Sequence, residues 1–416
     1  MQITKKQLLQ DRQSLLDEIA ALQEENLRLR VGEPPAPVPD SPEEEAVARP
    51  SQFSRFPLLR AVDEKYENAN AEEPLAAPPQ ALPRVAEHLR RYAAAHFGLY
   101  AGRSLYACFL GAMAASDFLL LRSEDPGRSP LAFCRAVAAA WGQNIEITPM
   151  RPEWARPADL LGEPDPATRR YRETDLLCAI YEAGYSRGVS FTVLEGVTAA
   201  PARCLTDLLP LLSLSYNQAN LARQIPLADS AWPGDPVLLR DGVLPWPGNL
   251  WLVGTLPLEA PASPQGLRGA AMEFCLPGQQ GAKGFLTPLE NPSALPARQL
   301  RGLFAHAREV YALPEEALRL YGLVEQHLAE NMELSLGAQS QAQLRAFGSI
   351  CLACGLRPTE ALDGFFYHRA LRRLDCADPG ALKYELPGLR RFLAGTFGRR
   401  ALPLTMGFLE ELETPQ

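Results

Sequence analysis

The residues whose types and spacing could do chemistry lie between Phe118 and Trp141. Residues 118–121 are a short apolar run of the buried-strand type, and residues 131–141 repeat apolar side chains at helical spacing. The polar segment between them joins a strand to a helix, the place of a phosphate-cradling loop. Such a loop reads Gly, four residues, then Gly-Lys-Ser/Thr: backbone N–H groups wrap the phosphates, Lys neutralises them and the hydroxyl holds magnesium. In that register this chain has Arg122, four residues, then Gly127-Arg128-Ser129. Arg122 stands for the first Gly, Arg128 for the Lys, and Pro130 follows. Glu124 and Asp125 put two carboxylates where phosphate charge would sit, and like charges repel. The segment keeps the outline of a phosphate loop without its chemistry.

Residues 82–115 are apolar at helical spacing, broken at Gly98 and Gly102, and predict two helices leading into the first strand. After the loop come a strand at 145–150 and the phrase Arg151-Pro-Glu-Trp154-Ala-Arg-Pro-Ala-Asp159-Leu160-Leu161-Gly162, then a helix from Thr174. A strand at 191–194 ends in Glu195-Gly196, residues 207–212 predict a helix, and another strand at 250–254 ends in Thr255-Leu256-Pro257. This phrase and its order closely resemble the stretch after the phosphate loop in McrB-type AAA+ GTPases of modification-dependent restriction systems. The resemblance spans roughly residues 81–412 at low identity. It implies an α/β fold, a P-loop NTPase (AAA+)-like parallel sheet with helices on both faces, followed by an all-α lid. The expected division is an N-terminal coiled coil over 1–31, a Pro/Glu-rich linker over 32–80, the α/β domain over 81–290 and the helical lid over 291–416.

The departures from that family carry the functional reading. At the acidic strand end the family has Asp then Glu, for magnesium and the attacking water; here Glu195 is followed by Gly196, which cannot act as a base. In the sensor strand the family supplies Asn, Asp and Arg, whereas Gly254-Thr255-Leu256-Pro257 and Pro261 supply none of them. The degenerate nucleotide-site positions are thus Arg122, Gly127, Arg128, Ser129, Glu195, Gly196, Thr255 and Pro257. They imply a pseudo-NTPase with no catalytic residue, no cofactor and no metal, acting as an assembly or regulatory subunit, of an anti-phage or restriction-type system if it follows its relatives. Two further readings stand beside it: a switch or motor with residual GTP or ATP binding, and a nucleic-acid-binding restriction subunit.

Leu8, Leu15, Leu22 and Leu29 recur every seven residues, with Arg12, Ile19 and Asn26 at the alternate core position. This predicts a short coiled coil, and a polar Asn in the seam favours a parallel dimer in register. Self-association through residues 1–31 is therefore expected, with a protein partner such as an active AAA+ paralogue or a nuclease subunit. The Pro-, Ala- and Glu-rich stretch after it cannot build a core. Within that stretch, residues 53–59 form an apolar island expected to fold back on the body. The formal net charge of −8 gives no general attraction to nucleic acid. Eight dispersed cysteines in so long a chain favour a reducing cytoplasm, and no apolar run reaches about 18 residues.

Cys351 and Cys354 form a lone CxxC expected in the core, and the five histidines show no ligand spacing. Residues 237–244 predict a hairpin about Asp241-Gly242, projecting from the body and bearing Trp232 and Trp246 near its base. The pairs Arg372-Arg373, Arg390-Arg391 and Arg399-Arg400 form either a phosphate-binding face or a solvated helix surface.

Overall fold

Strand β1 (Phe118–Ser123) begins with four side chains that are completely buried, and they alternate between two cores. Leu119 and Leu121 enter one, Phe118 and Leu120 the other. A strand buried on both faces belongs in a parallel sheet covered by helices on both sides. That is the architecture in the computed structural model, which describes residues 54–67, 81–125, 127–198, 201–205, 208, 223–257, 263–264, 267, 271–278, 292–376 and 379–413. The coiled-coil positions Leu8, Leu15, Ile19, Leu22, Asn26 and Leu29 lie outside the described residues, as does the helix expected from Asp207.

The sheet comprises β1, β2 (Ile145–Pro149), β5 (Ser190–Glu195), β8 (Leu250–Thr255) and β9 (Met272–Leu276), all parallel, in the order β2-β5-β8-β1-β9. The fourth strand in chain order thus lies between the first and third, giving a P-loop ATPase-like α/β fold. Two small antiparallel pairs flank it: β3 (Glu163–Asp165) with β4 (Arg170–Arg172), and β6 (Gln224–Pro226) with β7 (Val243–Pro245).

The first core is shared by α2 (Leu82–Phe97), α3 (Arg103–Ala115), α4 (Pro130–Ala140) and the C-terminal helices. Those are α7 (Ala297–Val310), α8 (Glu315–Met332), α9 (Ala338–Ala353), α10 (Pro358–Phe365), α11 (Pro379–Phe397) and α12 (Pro403–Glu413). α3 and α9 approach closely because Gly111 leaves room: a Cβ there would meet the Phe347 ring at 2.9 Å and its carbonyl at 3.0 Å. Gly364 of α10 does the same, with Cys108 Sγ 2.8 Å from where its Cβ would be.

The second core lies under α1 (Pro57–Glu67), α5 (Pro157–Leu161) and α6 (Asp175–Ala183). The apolar island does fold back: Phe56 and Leu59 are fully buried, and Phe56 packs on Tyr171 at 5.0 Å. The phrase at 151–162 builds local structure. Asp159 accepts the Ala155 and Arg156 amides, and Gly162 takes φ 91° with the Arg172 carbonyl so near that a Cβ would lie 2.0 Å from it.

The hairpin expectation needs correction. Asp241 and Gly242 do turn with φ 51° and 78°, but residues 237–240 form no strand beyond one bridge from Arg240 to Val243, and β7 pairs with β6 instead. Nor does the segment project, since Leu239, Leu244 and Trp246 are buried; Trp232 alone of the two tryptophans is exposed. No helix among the described residues is long and apolar enough to cross a membrane.

Candidate functional site

The C-terminal ends of β1, β5 and β8 bring the sequence-predicted positions together, at the edge where open α/β sheets bind ligands. Thr255 is the cross-strand partner of both Leu121 and Glu195, so β8 separates the β1 loop from the acidic strand end. What the strand ends present differs from a phosphate site in one respect above all: the backbone N–H groups are already engaged.

The loop after β1 closes on itself. Its amides run as follows: Glu124 donates to the Leu276 carbonyl at 3.1 Å and Asp125 to Ser123 Oγ at 3.2 Å, while Gly127 donates to Asp125 Oδ1 at 2.8 Å and Arg128 to the Asp125 carbonyl at 2.9 Å. Asp125 thus folds its own side chain into an Asx turn, as short Asp side chains do. Ser129 is the N-cap of α4 and accepts the Ala132 amide at 3.3 Å. Its hydroxyl, the residue type that would hold magnesium, serves the helix instead.

Arg128 does not reach outward as a phosphate-binding Lys would. It is 5% exposed, with Nη1 donating to the Pro277 carbonyl at 3.0 Å and Nη2 to that of Tyr100. Glu124 is held by Arg372 Nη2 and by the Tyr367 hydroxyl, each at 2.6 Å. Arg372 is itself sandwiched, 4.5 Å from the Tyr367 ring and 4.1 Å from Phe408. A π turn over Phe366–Ala370 followed by a 3-10 turn over Leu371–Cys376 delivers these side chains to the β9 edge. Wide turns of that kind re-aim successive residues, and here Tyr367, His368, Arg369 and Arg372 all become buried.

At the neighbouring strand ends Gly196 takes φ 80° and donates its N–H to Thr255 Oγ1 at 3.3 Å. Thr255 is buried, Glu195 half-buried, and Pro257 half-buried just beyond β8. Arg122 is half-buried on β1 opposite Cys275. The eight positions share one end of the sheet, where the amides of Asp125, Gly127, Arg128 and Gly196 are already hydrogen-bonded.

Residues that the sequence did not single out complete the site: Tyr100, Pro277 and Tyr367. Of the arginine pairs, Arg372, Arg373 and Arg390 are drawn onto partners within the protein. Arg372 is buried on Glu124, Arg373 donates to the Ser335 and Leu336 carbonyls, and Arg390 is paired with Glu410 and Glu413. Burial pushes the Cys354 thiol up to about 12, and Cys351 is likewise raised, which suits core thiols and not a redox pair. No group of three His, Cys, Asp or Glu with metal-binding placement occurs among the described residues.

The chain matches no protein-family model and no curated protein. Among solved structures it is similar to a protein of Cytophaga hutchinsonii described as a candidate ATPase, with a TM-score of 0.39 and 10% identity over 79% of this chain and 86% of that one.

Proposed function

We propose that this chain is a non-hydrolysing relative of P-loop ATPases, of the McrB-like AAA+ kind, that works as an assembly or regulatory subunit. Residues 1–31 would provide self-association, and a protein partner would read the assembled body. The supporting observation is the closed β1 loop: its amides are bound internally, Arg128 is turned into the protein, and Glu124 sits against Arg372 where a phosphate would bring its charge. Phosphoryl transfer depends on positioned charge, and this site would have to break four hydrogen bonds and an ion pair before accepting a phosphate.

The test is equilibrium titration of the full chain with fluorescent GTP and ATP analogues, alongside phosphate release. The expected result is neither binding nor release above background. Turnover that disappears in Glu195→Gln would overturn the proposal in favour of a working NTPase, and binding without turnover would favour a nucleotide switch.

A further inference from the structure

Next to the closed loop, on the side of the C-terminal helices, lies a cavity of about 290 Å³. Gly102, the N-cap of α3, with Ser104 of that helix, Arg128, Pro277, His368 and Leu404 are among its walls. That volume is at the lower end for small-molecule pockets. We infer that this cavity binds a small organic carboxylate, its charge toward Arg128 and the start of α3, its apolar body against Leu404 and Pro277.

The charge argument begins with Arg128. Its guanidinium is 5% exposed, two of its nitrogens meet neutral carbonyls, and Nε has no acceptor. A buried cation surrounded by neutral dipoles alone is only partly compensated and favours an anion. The start of α3 adds to this, because its N-cap Gly102 has no side chain to cap the helix, which leaves only the Leu105 amide engaged, on the Gly102 carbonyl at 3.2 Å, and the N-terminal end of a helix carries partial positive charge.

The cavity's own carboxylates are held on partners other than Arg128. Asp363 accepts the Leu404 and Thr405 amides at 3.0 and 2.9 Å, capping α12. Glu360 is held by the Arg357 amide and guanidinium at 2.7 and 2.9 Å. His368 adds a neutral donor: its Nδ1 accepts the Cys275 amide at 3.2 Å, so the hydrogen of the uncharged ring is on Nε2. Apart from Tyr367, whose hydroxyl donates to Glu124, the remaining wall, including Leu105, Cys108 and Pro403, is apolar, which selects a ligand with a hydrocarbon body over inorganic phosphate. The assignment is independent of whether the chain turns over nucleotide.

Calorimetric titration of the full chain with hexanoate and phenylacetate tests it, with hexanamide and inorganic phosphate as controls. The acids should bind one per chain, and hexanamide at least about tenfold more weakly. Ser104→Phe, at an exposed position on the cavity wall, should abolish binding, and Arg128→Gln should weaken it at least about tenfold. If Arg128→Gln fails to fold by circular dichroism, Ser104→Phe decides alone. No heat with either acid, equal binding of hexanamide or phosphate, or unchanged binding by Ser104→Phe each overturns the assignment.

Discussion

Glu124, in the loop after β1, and Arg372, in the turn after α10, form a 2.6 Å ion pair whose side chains are 21% and 2% exposed. The pair ties the strand end to the C-terminal helices. Removing one member of a buried pair leaves the other charge uncompensated. Arg372→Met should therefore lower stability by about 2–3 kcal/mol, less than for a fully buried pair because Glu124 reaches water. Glu124→Gln, which keeps an acceptor, should lose less. Urea unfolding of both variants and the double variant measures this, and a coupling under about 0.5 kcal/mol would show that the pair is not a latch.

Restoring the motif letters should not restore the site. Arg122→Gly combined with Arg128→Lys rebuilds the phosphate-loop sequence, but the amides of Asp125, Gly127 and Arg128 stay on Ser123 and Asp125. The double variant is expected to show no nucleotide binding by equilibrium titration. Micromolar binding would mean that the two arginines alone had closed the loop.

Stability should fall on acidification through His368. Burial lowers its pKa to about 3 from the usual 6.5, so between those values the unfolded chain binds a proton that the folded chain does not. Its contribution is complete above pH 6.5 and is lost toward pH 3, at about 1.4 kcal/mol per pH unit within the window. Burial raises Glu173 and Asp363, whose effect has the opposite sign. The informative quantity is thus the difference in slope between the parent and His368→Gln, measured by denaturation from pH 7 to pH 5. The variant's stability should vary less steeply, and parallel curves would remove the histidine from the account.

Gly162→Ala should be among the most damaging single changes. The new methyl would meet the Arg172 carbonyl at 2.0 Å at a φ of 91°. A loss above about 3 kcal/mol is expected in thermal or urea unfolding. A change below about 1 kcal/mol would show that the β3–β4 pair yields freely.

Deleting residues 1–31 should reduce a dimer to a monomer by light scattering and leave the circular dichroism of the body intact. Asn26→Leu in the full chain should admit trimers or tetramers, since an amide in the proposed coil seam would no longer restrict strand number. An unchanged mass on deletion would move self-association to the body.

Much of the sheet was readable because β1 and β8 carry unbroken apolar runs and β5 is broken only by the β-branched Thr192, and the helix breaks at Pro314, Gly337 and Pro358 follow local chemistry. β9 was not, because Glu273 interrupts its short run; that carboxylate is buried and accepts the Ser263 hydroxyl at 2.7 Å. The loop's lost letters were visible as letters. Their physical outcome was hidden, since Arg128 donates to residues 28 and 149 positions away, and Arg372 to one 248 positions away. Local patterns carry no information about such partners. The Arg372-Arg373 pair looked outward-facing for the same reason: helical spacing does not foretell a π turn.

The glycine contact between α3 and α9 has a mechanical meaning. α3 runs directly into β1, so whatever fixes α3 also fixes the start of that strand and the loop beyond it. Machines that act by strokes use helices that can ratchet one turn past each other. Here Ala107 and Ala115, one turn to either side of Gly111, each carry the methyl for which Phe347 leaves no space. The joint has a single detent. At this contact α3 keeps its place along α9, and with it the start of β1.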